Sequence, residues 1–230
     1  MSISASSIEE AIAQIDQLFS VDEAFLCKAT SHFLSSMDAG LTNEVPTKAY
    51  MPMLPTFVTS IPTGEEKGLF LAADLGGTNF RVCSIDLKGD HTFDLKQSKF
   101  PVPQDLMKGS TSDALFSFLA SKVKEFLGEH HDELDESVTL KMGFTFSFPV
   151  DQSALDRGKL IRWTKGFDLP DCVGRDVVEY FQKHIDILKA PVLITALAND
   201  TVGTLLSRSY ANDVSISKAT TLIGAIFGTG

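Results

Sequence analysis

The segment Leu69–Arg81, LFLAADLGGTNFR, decides the fold of this chain. An apolar run ends at Asp74, and a Gly-Gly-Thr-Asn turn follows almost directly. Residues 80–87, FRVCSIDL, are rich in β-forming side chains and predict a second strand immediately after the turn. Phosphate loops of the Walker and dinucleotide types lead from a strand into a helix. The glycine loop of this chain is instead predicted to join two strands of a hairpin.

The turn and its flanks combine groups that suit a phosphate. Glycine backbone N–H groups can approach an anion closely and turn inward as an anion-binding nest. Nearby hydroxyl, amide and guanidinium groups add donors and positive charge, and an aspartate could hold a hydrated cation. Gly76-Gly77 alone would favour an ordinary hairpin turn, whereas its neighbours favour a nucleotide loop. The candidate phosphate contacts are Asp74, Gly76, Gly77, Thr78, Asn79 and Arg81.

Composition and charge argue against several classes of protein. The chain has 230 residues, 43% of them hydrophobic, which is enough for one large domain or two small ones. Its net charge of −10 is opposite to that of a nucleic-acid-binding surface. Three widely spaced cysteines predict a reducing compartment. Since no secretory signal and no apolar run of about 20 residues is visible, we expect a soluble cytoplasmic protein with neither a nucleic-acid nor a membrane partner.

Hydrophobic periodicity and capping signals predict an α/β chain. Two helices are expected at the start, from the capping-box spacings Ser7-x-x-Glu10 and Ser20-x-x-Glu23, with Phe25 and Phe33 of the second helix facing a core. Four prolines between residues 45 and 64 indicate an extended segment between two lobes. The later predicted elements are a helix from Ser112 to Leu127, a strand Val138–Phe148, a strand Lys159–Trp163, a helix Arg175–Leu188, a strand Val192–Ala198, a helix Thr201–Tyr210 and a strand Thr220–Phe227.

Asn199 and Asp200 lie where an apolar strand is predicted to end and a helix to begin. Ligands of α/β sheets collect at the carboxyl ends of strands. Asp200 could cap the helix, or it could act as a general base that takes a proton from a hydroxyl group. The two roles are compatible, and the sequence leaves both open.

Thr164 and Lys165 follow the single tryptophan of the chain. A loop lysine is most often simply solvated, but the apolar neighbours of Lys165 favour a directed role. A lysine can neutralise charge on a transferring phosphoryl group. Ser147, at the end of the alternating strand, and Thr164 are then candidate hydroxyl partners for a sugar.

Together these segments resemble the hexokinase family, within the superfamily of sugar kinases, actin and heat-shock chaperone ATPases. The residues that carry the resemblance are LAADLGGTNFR (71–81), GDHTF (89–93), GFTFSFP (143–149), IRWTKGF (161–167), NDTVGT (199–204) and IFGTG (226–230). The sequences MPMLPTFV (51–58) and GDHTF are most similar to those of the fungal glucokinases.

The resemblance implies a two-lobed, ribonuclease-H-like α/β fold in which mixed sheets are flanked by helices. It implies that residues 1–66 belong to the large lobe, that residues 67–199 form the small lobe, and that residues 200–230 begin the rest of the large lobe. The chain then looks like the first half of such an enzyme, because further sugar ligands and an adenosine site would follow. We therefore expect residues 1–230 alone to be largely inactive and to need the missing C-terminal half as a partner.

The resemblance also implies a reaction, the ATP- and Mg²⁺-dependent phosphorylation of glucose or a related hexose. Asp200 would be the base, assisted by Lys165, and Asp74 would hold Mg²⁺ through water. The implied sugar contacts are Ser147, Thr164, Lys165, Asn199 and Asp200, and the implied nucleotide contacts are the six residues of the glycine turn together with Gly228 and Thr229. A sugar-binding module without turnover, or an ATPase acting on protein partners, are the alternatives.

Overall fold

The computed structural model describes residues 5–42, 51–109, 111–135, 138–211 and 221–226. The chain divides into two compact units, Met1–Leu54 and Pro55–Gly230. Within the described ranges, no helix is long and apolar enough to cross a membrane.

The first unit contains the two predicted helices, α1 (Ala5–Phe19) and α2 (Glu23–Thr42). Asp22 caps α2, since its carboxylate accepts a hydrogen bond of 2.7 Å from the Phe25 backbone N–H. The capping role predicted for Ser20 is therefore wrong. Phe25 and Phe33 are 60% and 53% exposed, so the predicted core-facing side of α2 is uncovered by the described residues.

The second unit contains the remaining elements. In chain order they are β1 (Lys67–Leu75), β2 (Asn79–Lys88), β3 (Phe93–Pro101), α3 (Gln104–Met107), α4 (Asp113–His130), β4 (Leu140–Phe146), β5 (Val150–Ala154), β6 (Arg157–Leu160), a 3₁₀ helix (Pro170–Cys172), α5 (Val177–Ile187), β7 (Val192–Ala198) and α6 (Asp200–Tyr210).

The main sheet has five strands in the order β3-β2-β1-β4-β7. The hairpin pairs β1–β2 and β2–β3 are antiparallel, whereas β4 pairs parallel to both β1 and β7. The predicted hairpin around the glycine loop is confirmed. The short hairpin of β5 and β6 forms a separate two-stranded sheet.

One face of the main sheet is covered by α4 and α5. Phe181 of α5 packs against Phe144 of β4 and Phe80 of β2, with ring centroids 4.9 and 6.2 Å apart. Phe116 of α4 joins the same aromatic cluster, at 6.1 Å from Phe181. All four rings are almost completely buried. Polar residues that alternate with them along the strands therefore lie on the opposite face, which carries the site described below.

Two predicted elements differ from the structure. Residues 221–226 have no regular secondary structure, so the strand predicted over Thr220–Phe227 is wrong for the described residues. A strand requires a hydrogen-bonded neighbour, and none is seen for 221–226 within the described ranges. The strand predicted over Lys159–Trp163 is replaced by β6, which ends at Leu160 and pairs with β5, a strand that periodicity did not predict.

Candidate active site

The strand register brings polar residues into one row on the open face of the sheet. Asp74 of β1 lies directly opposite Arg81 of β2 and beside Thr145 of β4, and Thr145 lies beside Ala198 of β7. Directly paired residues project to the same side of a sheet. The end of β1, the turn that follows it and the start of α6, at the carboxyl end of β7, therefore meet at one edge, as parallel strands predict.

Asp74 is half-buried and forms an ion pair with Arg81, in which Nη1 and Oδ2 are 3.0 Å apart. Burial raises the pKa of the Asp74 carboxyl above its ordinary value, and the Arg81 guanidinium opposes that shift. The charge of Asp200 also raises the pKa of Asp74, whereas that of Lys165 lowers it. These four charged groups therefore share one electrostatic environment.

The turn between β1 and β2 is closed by a hydrogen bond of 3.1 Å from the Gly76 N–H to the Asn79 carbonyl. The Asn79 side-chain amide donates to the Thr78 hydroxyl at 2.8 Å. Gly76 and Gly77 are not among the residues with a left-handed backbone. Because a nest can also form in a turn conformation without such a residue, the predicted nest stays a prediction.

Lys165 lies in a turn that an aromatic cluster holds in place. The Trp163 ring stacks on Phe167 with centroids 5.3 Å apart, and it meets Phe148 edge-on at 4.9 Å. The indole N–H donates to the Leu169 carbonyl at 2.8 Å. Lys165 itself has φ of 55°, a left-handed conformation that favours glycine. The turn directs its ammonium group toward Asp200, with Nζ and Oδ2 4.0 Å apart.

The start of α6 shows how Asn199 and Asp200 contribute to the cap of the helix. Asn199 is the N-cap, because its side-chain oxygen accepts from the Thr201 N–H at 3.1 Å and from the Thr201 hydroxyl at 2.7 Å. Asp200 is the first helical residue, and one of its oxygens lies 3.0 Å from the same N–H group. The other oxygen, which is not needed for the cap, is the one that faces Lys165.

Ser147 and Thr164 are the two predicted hydroxyl contacts, and they lie next to the segments that carry the charged residues of the site. Ser147 is 6% exposed, and its backbone N–H donates to the Leu75 carbonyl at 3.4 Å. Among the residues that the structure describes, its hydroxyl has no hydrogen-bond partner. Thr164 is half-buried and accepts a hydrogen bond from the Phe167 N–H through its carbonyl. Gly228 and Thr229 lie outside the described residues.

Thr145 lies beside the predicted site residues but is not itself among them. It is half-buried in the row between Asp74 and Ala198, and its hydroxyl lies 3.9 Å from the position a Cβ would take on Gly203 of α6. Alternation along β4 placed it on the polar face, but only the pairing register places it beside Asp74.

The residues present fit a magnesium ion held largely by phosphate and water. Within the described ranges, no group of three or more His, Cys, Asp or Glu side chains could hold a metal alone. Mg²⁺ bound with a nucleotide usually takes only one or two carboxylates, together with phosphate oxygens and waters. Asp74 and Asp200 supply carboxylates at the same edge of the sheet.

Comparison with known proteins decides the family. A family model described as Hexokinase matches residues 11–210. The chain belongs to the hexokinase family. It is 46% identical to the glucokinase of Aspergillus niger, over 99% of this chain and 48% of that protein. It is 44% identical to glucokinase-1 of Saccharomyces cerevisiae, over 97% of this chain and 48% of that protein.

A solved structure of this hexokinase family supports the fold assignment. The hexokinase from Schistosoma mansoni complexed with glucose matches with a TM-score of 0.76 at 33% identity, over 90% of this chain and 46% of that chain. The predicted family and fold are confirmed, and the predicted similarity to fungal glucokinases is confirmed at 44–46% identity. This hexokinase-family chain spans about half the length of the curated relatives it matches.

Proposed function

We propose that the polypeptide containing these residues transfers the γ-phosphoryl group of ATP to the 6-hydroxyl of glucose or a related hexose. The observation that carries the proposal is the position and surroundings of the Asp200 carboxylate. Its carboxylate lies at the carboxyl end of β7, Asn199 caps the helix beside it, and Lys165 lies 4.0 Å away. A carboxylate with one oxygen outside the helix cap and close to a cation suits a general base near a developing negative charge.

In this proposal Asp200 accepts the proton of the 6-hydroxyl as that oxygen forms a bond to the γ-phosphorus. The bond between the γ-phosphorus and the oxygen bridging to the β-phosphate breaks, and ADP leaves with the electron pair. Lys165 places a positive charge beside the reacting oxygens. Ser147, Thr164 and Asn199 would orient the sugar, since holding both substrates in line can supply about 7–11 kcal/mol of the barrier.

The turn after β1 would hold the nucleotide phosphates. Thr78 and Arg81 offer a hydroxyl and a guanidinium beside the turn, and Gly228 and Thr229 would belong to a second phosphate segment. Asp74 would hold Mg²⁺ through water, and the ion would neutralise phosphate charge when bound. The pairing of Asp74 with Arg81 keeps this carboxylate oriented.

The chain covers only about half the length of its relatives, and this affects the activity expected of residues 1–230 alone. We propose that they comprise a small lobe (67–199), an N-terminal segment of the large lobe (1–66) and the start of its remainder (200–230), so that the C-terminal half completes the enzyme. Closure of the lobes on the sugar would exclude water as a competing acceptor. The free thiols of Cys27, Cys83 and Cys172 support a cytoplasmic location for the protein.

Sugar binding without turnover is the second candidate. The chain contains all of the proposed sugar contacts but spans only about half the length of the glucokinases that it matches. Residues 1–230 could therefore retain the sugar loop without completing a nucleotide site.

The test is a comparison of acceptors in the intact polypeptide. With ATP and Mg²⁺, glucose should yield a product whose phosphate is on the 6-oxygen by NMR, and 6-deoxyglucose should bind without being phosphorylated. Binding of both sugars with no product would favour the sensor. ATP hydrolysis that neither sugar alters would contradict both candidates.

A further inference from the structure

The described residues show a direct contact between the predicted nucleotide loop and the predicted sugar lysine. A Cβ built on Gly77 would lie 3.4 Å from Cβ, 3.8 Å from Cγ and 3.5 Å from Cδ of Lys165. The aliphatic stem of Lys165 therefore passes directly over the Gly77 backbone. Gly76, the other glycine of the turn, would instead place a Cβ 3.6 Å from the Asn79 carbonyl, within its own hairpin.

The position of the Lys165 ammonium is thus set from two sides. From its own turn, the left-handed backbone at Lys165 and Gly166 and the packed Trp163 ring fix where the side chain starts. From the opposite side, Gly77 sets how closely the stem can lie against the β1–β2 turn. Only after passing this contact does the chain of methylenes bring Nζ to 4.0 Å from Asp200.

We propose that Gly77 is a positioning residue for Lys165. A Cβ alone would make ordinary contact with the lysine stem, but atoms beyond it would displace the stem, so a small residue at this position lets the lysine reach across the turn to Asp200. The proposal rests on the proposed function for the role of Lys165 but goes beyond it. A glycine needed only for close approach of phosphate would affect nucleotide binding alone. A glycine that seats Lys165 also affects the sugar when no nucleotide is present.

The test is a double-mutant cycle on hexose affinity, measured without nucleotide in the intact polypeptide. Gly77→Val adds an isopropyl group whose methyl carbons fall where the stem lies, so we expect it to weaken glucose binding about tenfold, the scale of one lost charge-assisted hydrogen bond. In a Lys165→Ala background the same substitution should have no further effect. Gly143→Ala is the matched control, because a Cβ at that glycine of β4 meets nothing within 4 Å.

A second readout does not depend on sugar chemistry. The Lys165 side chain is 27% exposed, and its displacement by Gly77→Val should increase the rate at which acetic anhydride modifies it, as followed by peptide mass spectrometry. If Gly77→Val does not fold, Gly77→Ser, which adds one atom beyond the Cβ, should show smaller changes in the same directions. Gly77→Ala should stay close to the parent protein, because its Cβ makes only ordinary contact with the stem.

The outcomes separate this proposal from the proposed function. Equal loss of glucose affinity in both Lys165 backgrounds, or no loss in either, would overturn the positioning role even if the enzyme phosphorylates hexose. If the unmodified polypeptide binds no hexose, the proposed function fails, and Lys165 acetylation decides the positioning role alone. A faster reaction in the Gly77 variants would then support it, and an unchanged rate would overturn it.

Discussion

Asn199 caps α6, whereas Asp200 is the proposed base, and this difference gives a quantitative prediction for the stability of the helix. Asn199→Ala removes the oxygen that accepts from the Thr201 N–H and hydroxyl. Loss of an N-cap costs about 1 kcal/mol, which corresponds to about fivefold more frequent opening of the first turns of the helix. Asp200→Asn leaves this cap in place and loses only a half-exposed charge.

The expected cost of Asp200→Asn is smaller because two effects oppose each other. A negative charge at a helix N-terminus contributes about 0.3–1 kcal/mol. Its removal also relieves repulsion of Asp74, whose pKa the Asp200 charge raises. We therefore expect a change of less than about twofold in helix opening.

Amide hydrogen exchange of the α6 peptide, followed by mass spectrometry in the intact polypeptide, measures this opening. Asn199→Ala should exchange about five times faster than the parent protein, and Asp200→Asn should remain close to it. If Asp200→Asn opens α6 as much as Asn199→Ala does, then Asp200 is a structural cap. The argument that its carboxylate is free for catalysis would then be refuted.

Three further predictions concern the scaffold of the site. Gln182→Ala removes the side-chain amide that accepts from the Ile194 N–H of β7 at 2.8 Å, so exchange of that amide should accelerate about tenfold or more. Burial lowers the pKa of His131 below its ordinary value, so the unfolded chain takes up this proton first as pH falls. The His131 contribution to the free energy of unfolding is therefore fully present above about pH 6.5 and declines below it until the folded-state pKa is reached. NMR titration of the ring and melting temperatures measured against pH should show this decline. Gly64→Ala should destabilise the fold by at least about 2 kcal/mol, because Gly64 has φ of 91° and its Cβ would lie 2.0 Å from His91 Nδ1.

Each of these predictions has a control. Gln182→Glu keeps an acceptor for Ile194 but loses the donor to Asp186 and to the Val192 carbonyl, so protection of Ile194 should fall between that of the parent protein and that of Gln182→Ala. A His131 pKa at or above the ordinary histidine value would contradict the assigned burial effect. Gly143→Ala, where the added methyl group meets nothing within 4 Å, should be nearly neutral in the melting experiment that tests Gly64→Ala.

The main elements of the sheet were predictable because their signals are local. The apolar run before Asp74 and the β-forming run after it specify a hairpin, and the alternation around Phe144 specifies a strand with one buried face. Strand β5 was missed because Val150–Ala154 is short and shows no clear alternation of apolar residues. The capping of α2 was misassigned because Ser20 and Asp22 are both capable caps, and only the backbone geometry distinguishes them.

The site was predictable in its residues but not in its contacts. The sequence motifs identify Asp74, Lys165 and Asp200 as candidates, and the structure places the three in one electrostatic environment. The contact between Gly77 and the Lys165 stem joins segments that are far apart in the chain, and no periodicity or spacing encodes it. The same holds for Thr145, whose neighbours depend on how β1, β4 and β7 pair.

The most direct test of the proposed chemistry is a single-turnover experiment with the intact polypeptide in excess over γ-labelled ATP. We expect rapid transfer of label to the 6-oxygen of glucose, slowed by about 10²–10⁴-fold in Asp200→Asn, while glucose affinity stays within about threefold of the parent value. Transfer by Asp200→Asn at a rate close to that of the parent protein would contradict the assignment of Asp200 as the base.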